Sequence, residues 1–353
     1  PIAAHMKPPQ PPPTLATHKA PTGISGFDAI AGGGLPRGRT TLLVGGPGSG
    51  KTVFALQFLV HGVQHCKEPG IFVALEETSQ CILANADSFG WNITPAQRKK
   101  LFFLDAQPQS DLIQSGDFDL CGMLAGLEAQ ALATGARRIV FDALDILLAL
   151  LPDAAAQRRE IYRLHAWLLS RELTAIITLK ADTDDTHTIS QQPFGFMQFM
   201  VDCAVILNHG VLLGVSQRSL RVQKYRGSSF DENESPFLIG NSGFEIAGAR
   251  TLDSVDTQVT TERVSSGVER LDTMLGGGYY RGASVLVTGF SGTAKTTLSG
   301  AFVQAACQRG ERTLFVSFDS EGGEVIRNLA SVGIRLERYV KNGVLRMASA
   351  RTI

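Results

Sequence analysis

The chain has 353 residues, 44% of them hydrophobic and 19% charged, with 33 basic and 33 acidic side chains. That length predicts about two domains, and that balance predicts globular units with real cores. A net charge of zero argues against a dedicated binder of nucleic acid or of an anionic membrane surface, since both carry a basic excess.

The opening "PIAAHMKPPQPPPTLATHK" is proline-rich and predicts a disordered or extended tail over residues 1–18. Within it, residues 1–5 read as an expression remnant and Met6 as the natural start. "TTLLVGG" (40–46) predicts a buried strand entering a glycine loop, and "TVFALQFLVHGVQH" (52–65) has helical apolar spacing. Further strands are predicted at "GIFVALE" (70–76), "LFFLDA" (101–106), "RRIVFDAL" (137–144), "ELTAIITLK" (172–180) and "VDCAVILNH" (201–209). Strands apolar on both faces and separated by helices imply an α/β fold, a mostly parallel twisted sheet with helices on both sides. "SLRVQKYRG" and "GFEIAG" read as antiparallel additions at one end. No apolar run reaches the ~18 residues of a membrane helix, so no membrane contact is expected. The five cysteines form no C-x-x-C pair and read as reduced, mostly buried thiols of a cytoplasmic protein.

The chain repeats itself. "TGISGFDAIAGGGLPRGRTTLLVGGPGSGKT" (22–52) returns as "SSGVERLDTMLGGGYYRGASVLVTGFSGTAKT" (265–296), and "IFVALEETSQCILANADSFGWNI" returns as "LFVSFDSEGGEVIRNLASVGIRL". "LFFLDA" then aligns with "VLRMAS" (344–349). The expected organisation is a first domain over 19–247, a polar linker over 248–263, and the N-terminal part of a second, homologous domain over 264–353. Nothing matches the first copy from about Gln107 to Gly248, so the chain is expected to be a fragment of a tandem protein, or else a naturally truncated product.

Gly45 to Thr52 spells G-x-x-x-x-G-K-[ST] between a predicted strand and a predicted helix, the context of a phosphate-binding P-loop. Glycines let backbone N–H groups wrap phosphates, and the helix N-terminus adds partial positive charge. Gly48, Ser49, Gly50, Lys51, Thr52 and Val53 are therefore candidate nucleotide contacts. Lys51 would reach the β- and γ-phosphates, with the Thr52 hydroxyl on Mg²⁺. Asp142, ending "RRIVFD", is the second Mg²⁺ candidate, with an ordinary helix cap as the lesser alternative. Glu76 and Glu77 follow the next strand. A carboxylate at that place can orient and deprotonate an attacking water, or simply favour a helix start.

The order P-loop, "EE", then "FD" resembles the RecA-type ATPases. The paired repeats, with "GGGLPRG" and "GGGYYRG", "FVALEET", "NADSFGW" and "KYRGSS", resemble the KaiC family of circadian-clock ATPases and autokinases. That resemblance implies a tandem RecA-like P-loop fold with the second copy incomplete, ATP/ADP and Mg²⁺ as cofactors, and an ATP-dependent homo-hexamer with nucleotide between subunits. It makes Glu76 and Glu77 the catalytic pair. It assigns Lys224, Tyr225, Arg226, Gly227 and Ser228 to a segment that reaches the neighbour's ATP, and places Ser88, Phe230 and Asn241 near its base or ribose. It implies a KaiB-like or other signalling partner, and an autokinase activity of the full-length protein whose Ser/Thr pair lies outside this chain. In the second repeat, Ser291, Gly292, Thr293, Ala294, Lys295 and Thr296 form a diverged loop, with Ala294 where the pattern has glycine. The acidic pair there is Asp319 and Ser320, and "TLKADTDD" departs from the family's acidic pattern in the first repeat. The second site is expected to be empty or weakly occupied. A RecA- or RadA-like DNA-dependent ATPase or helicase, and an assembly scaffold that uses ATP as glue, are the competing readings.

Overall fold

The computed structural model describes residues 19–108, 120–181, 195–212, 214–246 and 260–350. The expectations for the tail 1–18 and for most of the linker 248–263 lie outside the described residues. The chain divides into two units, Pro1–Asp253 and Ser254–Ile353.

Nine strands make one sheet in the first unit: β1 Thr40–Gly45, β2 Gly70–Ala74, β3 Leu101–Asp105, β4 Arg138–Asp142, β5 Thr174–Lys180, β6 Cys203–Leu212, β7 Val215–Tyr225, β8 Ser235–Gly240 and β9 Gly243–Ile246. Their order is β9-β8-β7-β6-β1-β5-β4-β2-β3. The six strands from β6 to β3 run parallel, and β7, β8 and β9 add antiparallel at one edge. The mostly parallel α/β sheet expected from the alternation of strands and helices is the one observed.

Both faces of the central strands are buried, and their residues divide by alternation between two cores. Leu43, Phe72, Val140 and Ile176 join one core with Phe54, Phe58 and Leu59 of helix α1, Lys51–His65. Leu42, Val44, Ile71, Val73, Ile139, Phe141 and Ile177 join the other. Helices α3 (Cys121–Thr134) and α4 (Ala154–Ser170) cover that second face through Leu124, Leu127, Leu164 and Leu168. Helix α2, Ser79–Ser88, starts at Thr78, whose side chain accepts from the Cys81 amide, and it buries Ile82 and Ala86 on the α1 side.

At the sheet end away from the P-loop, the wholly buried Arg138 is held by Glu68 at 2.6 Å and by the carbonyls of Pro21 and Phe58 at 2.9 and 2.8 Å. Arg37 is the second cation on Glu68. Burial alone would raise the Glu68 carboxyl, but these two guanidinium groups hold it below its ordinary value.

In the second unit, Thr313–Ser317 pairs in parallel with Leu345–Ser349. Helix α5, Lys295–Gln308, and helix α6, Gly322–Ser331, share a small core containing Val303, Val325, Leu329 and Leu345. Residues 283–290 form no ladder, and Leu286 is 88% exposed. The reason lies in strand order. β1 gains its ladder from β5 and β6, and residues 264–353 hold no counterpart of either. Of the cysteines, only Cys203 and Cys307 are buried; Cys81 and Cys121 are exposed and Cys66 is intermediate, which corrects the expectation of mostly buried thiols. Among the described residues no helix is long and apolar enough to cross a membrane.

Candidate nucleotide site

The loop Gly45–Thr52 leaves β1 and enters α1 with Gly48 at φ 68° and Gly50 at φ 90°. Both lie in the left-handed region that glycine adopts without strain. A Cβ on Gly50 would sit 2.5 Å from Ile239 Cδ1, and one on Gly45 would meet Ser49 Oγ at 2.4 Å. No side chain caps α1, so its first N–H groups keep their hydrogen-bonding capacity. Ser49 Oγ is buried without a partner. Uncapped amides, an orphaned hydroxyl and glycines that admit close approach are what a phosphate chain satisfies.

The Lys51 ammonium donates to the carbonyls of Gly45 at 2.7 Å and Gly46 at 3.0 Å. Burial pushes its pKa down, while Asp142, Asp145 and Glu76 pull it back up. Thr52 Oγ1 donates to Asp142 Oδ2 at 2.8 Å. A hydroxyl and a carboxylate in contact at the start of α1 fit a Mg²⁺ site. Asp142 ends β4 and caps no helix; the following short helix, Leu144–Leu148, begins after Ala143. Burial raises the Asp142 carboxyl, against the lowering effect of hydrogen bonds from Thr178 and Thr52.

β2 ends at Ala74, beside Asp142 in the ladder. A bend then exposes Glu76 and Glu77. Glu76 lies within electrostatic reach of Lys51, Asp142 and Asp145, whereas the Glu77 carbonyl is occupied by Gln107 at 2.6 Å. The structure thus brings Glu76 to the loop more directly than Glu77.

The segment from Lys224 to Phe230 lies elsewhere. Tyr225 and Lys224 pair with Cys203 and Ala204, and those two pair with Thr41 and Leu42 at the start of β1. Thr41 is four residues from Gly45, roughly 13 Å along a strand. Lys224 Nζ donates to Gln198 O at 2.6 Å and Arg226 to Phe199 O at 2.7 Å, so both cations face one short helix, Met197–Met200. Ser228 accepts from Lys19 at 2.8 Å. The Tyr225 ring is buried under Lys19, at 3.6 Å, and its hydroxyl donates to Gly34 O at 2.9 Å. Its side chain is a core element. Phe230 packs on the first core, its ring 6.2 Å from Tyr225. Ser88 donates to Asn85 O at 2.6 Å. Its helix end meets the turn holding Asn241 through Trp91, which stacks on Phe89 and donates to Ser242 O at 2.9 Å. Val53 is half-buried against the first core.

Sequence reasoning missed several groups around the loop. Thr178 Oγ1 accepts from the Ala143 amide and donates to Asp142 Oδ1, both at 2.7 Å. Asp145 accepts from the Lys180 amide at 3.2 Å and has its carboxyl raised by burial. Arg218 donates to Gly48 O at 3.3 Å, and its strand partner His209 approaches Pro47 O at 3.5 Å. The rest of the "TLKADTDD" segment, from Asp182, lies outside the described residues.

In the second unit, Lys295 repeats the Lys51 geometry, bonding the carbonyls of Gly289 and Phe290 at 2.8 Å each. Thr293 donates to Phe290 O at 2.8 Å, and Gly292 has φ 81°. Ser291 and Thr296 flank these groups in the same loop. Ala294 has φ 61° and ψ 26°, the left-handed conformation in which its methyl is costly. Asp319 accepts from Ser317 Oγ at 3.1 Å, and the Ser320 amide donates to that same hydroxyl at 3.2 Å.

A family model described as the KaiC ATPase matches residues 20–251 and 264–353. Among curated proteins, the chain is 38% identical over 341 residues to the circadian clock protein KaiC2 of Synechocystis sp., covering 96% of this chain and 59% of that protein. It is also 38% identical to the circadian clock oscillator proteins KaiC of Parathermosynechococcus lividus, over 94% of this chain and 61% of that protein, and of Thermostichus vulcanus, over 99% and 67%. The chain thus spans about three fifths of the length of the first two relatives. Two matched segments that coincide with the two loop-bearing repeats, on a mostly parallel α/β sheet, place the chain in the KaiC ATPase family.

Proposed function

We propose that the first unit binds ATP with Mg²⁺ and hydrolyses it slowly at an interface between copies of the chain. The observation that carries this reading is the separation of the charged groups. Lys51, Asp142 and Glu76 gather at the carboxyl ends of the parallel strands, where ligands of such sheets bind. Lys224 and Arg226 sit at the other end of β1, too far to serve their own loop. A neighbouring copy's loop is the site they would complete, each subunit contributing a different face to a heterologous contact.

In this mechanism Gly48–Lys51 amides and the Lys51 ammonium hold the β- and γ-phosphates. Thr52 and Asp142 would hold Mg²⁺, which when bound would supply charge neutralisation on the phosphates. Glu76 orients a water and takes its proton as the water oxygen bonds to the γ-phosphorus and the bridging bond breaks, releasing ADP and phosphate. Arg226 of the adjoining copy meets the charge that develops on the transferring group. For the complete protein we extend the family's clock or signalling role, a hexameric assembly, a KaiB-like partner, and an autokinase activity housed in the second repeat.

Glu76→Gln is expected to abolish phosphate release while sparing ATP binding. Lys51→Ala and Arg226→Ala are each expected to be inactive alone. Mixed one to one, they should recover about a quarter of wild-type turnover, because random heterologous pairing joins an intact loop to an intact arginine at one interface in four. Full activity of Arg226→Ala on its own, or no recovery on mixing, would refute the interface.

A further inference from the structure

We infer that Lys180 is a second cation of the phosphate site in the same chain, one that grips the terminal phosphate of a nucleoside triphosphate. The inference rests on the reading of Gly45–Thr52 as a triphosphate loop.

The placement follows from strand register. Lys180 is the last residue of β5 and pairs with Gly45, the residue from which the loop departs. The Ala181 amide donates to Gly45 O at 3.1 Å, so β5 leaves the sheet at the level where the loop begins. The Lys180 amide is tied to Asp145 Oδ1 at 3.2 Å, which fixes the backbone at this point.

The direction follows from alternation. Ala175, Ile177 and Leu179 point into the core under α3 and α4, and Ile176 points into the core under α1. Thr178, two residues on, obeys the same alternation and reaches Asp142, which in turn holds Thr52 of α1. Lys180 continues that face beyond Thr178, on the side of the sheet where the loop enters its helix. Its side chain is exposed, and its ammonium has no hydrogen bond or ion pair among the described residues.

Lys180 lies within electrostatic reach of Lys51, as do the carboxylates of Asp142, Asp145 and Glu76. A triphosphate with its Mg²⁺ would bring anionic oxygens to the two ammonium groups and a cation to the carboxylates. Lys51 donates to the loop's own carbonyls at Gly45 and Gly46, at the inner end of the cradle. Lys180, on the strand beside it and next to the Asp142 and Asp145 carboxylates, is placed for the outermost phosphate, which distinguishes ATP from ADP.

The test is equilibrium binding by calorimetry, without turnover, using Mg-ADP and a non-hydrolysable Mg-ATP analogue on the intact chain. Lys180→Ala is expected to weaken the triphosphate analogue by about tenfold, the loss of one charge-assisted hydrogen bond, and to leave ADP within about twofold. Lys180→Arg, which keeps the charge, should retain most of the preference for triphosphate. Melting of the unliganded variants should match wild type, since the ammonium has no partner to lose. Equal loss for both nucleotides, or no loss for either, with Lys51→Ala still losing both, would overturn the assignment of Lys180 alone. Wild-type binding of both nucleotides by Lys51→Ala would overturn the loop reading and, with it, this inference.

Discussion

Replacing Thr178 by valine removes one hydroxyl and keeps the shape of the side chain, so the effect isolates two hydrogen bonds. Thr178 is wholly buried, and Asp142 is 7% exposed. The hydroxyl accepts from the Ala143 amide and donates to Asp142 Oδ1, each at 2.7 Å. A buried neutral bond contributes roughly 1 kcal/mol and a bond to a charged group about 1.5–3 kcal/mol, so the pair supports a loss of about 2.5–4 kcal/mol. The loss is large because the Ala143 amide stays buried without its partner and Asp142 is left with the Thr52 bond alone. Ala143 has φ 65°, a conformation that costs alanine about 1–2 kcal/mol, and the Thr178 bond is what anchors its amide there. The assay is urea unfolding near neutral pH without nucleotide, followed by tryptophan fluorescence. The two tryptophans, Trp91 and Trp167, both lie in the first unit, so the signal reports that unit alone. Thr178→Ser keeps the hydroxyl and loses a methyl, and should cost less than half as much. A valine variant no less stable than the serine variant would refute the account of Asp142 as a carboxylate held by its neighbours' hydroxyls.

Asp142→Asn should raise the melting temperature of the unliganded first unit at neutral pH and remove Mg²⁺-dependent nucleotide binding. The sign follows from the raised Asp142 carboxyl. A folded-state value above the unfolded one means that the ionised group costs stability at neutral pH. The gain from asparagine should therefore fade as pH falls through the raised value into the ordinary carboxylate range; a gain that persists at low pH would rule out the charge as its cause. Ala294→Gly should relieve the left-handed alanine and stabilise the start of α5 by about 1 kcal/mol, read as slower amide hydrogen exchange over the first turns of residues 295–308. The converse change, Gly50→Ala, should destabilise the first unit, because its Cβ would meet Ile239 at 2.5 Å on top of a φ of 90°.

The parts of the fold visible in the sequence were those carried by local pattern. The alternation of Leu42, Leu43 and Val44 between two cores requires a strand buried on both faces, and the run "TTLLVGG" shows it directly. The loop was legible because its glycines must adopt dihedrals that other residues resist. Thr178, Asp145 and Lys180 were not legible, because each matters only through the neighbour that strand order supplies. β5 lies between β1 and β4, although β5 follows β1 by more than 120 residues of sequence. The burial of the Tyr225 side chain was not legible for a related reason. Reading "KYRGS" as a single recognition segment treated its residues alike, whereas alternation sends Tyr225 into the core and leaves Lys224 and Arg226 on the other side. The bulge between Ala204 and Val205 does not disturb that division, since it falls before Lys224.

The two loops separate what is local in such a site from what is not. Lys295 bonds two loop carbonyls as Lys51 does, and Ala294 takes the left-handed turn of Gly50 despite its methyl. Yet the run before Lys295 has no ladder and lies exposed. The turn into the helix thus keeps its lysine contacts beside a run that forms no ladder. Asp142, the proposed Mg²⁺ carboxylate, and the Thr178 hydroxyl that holds it come in the first unit from β4 and β5, and no matching strands fall within 264–353. On the proposed mechanism, phosphate recognition would lie in eight consecutive residues, whereas hydrolysis would draw on strands gathered from across the domain. The left-handed alanine at position 294 strains the second turn by about 1–2 kcal/mol.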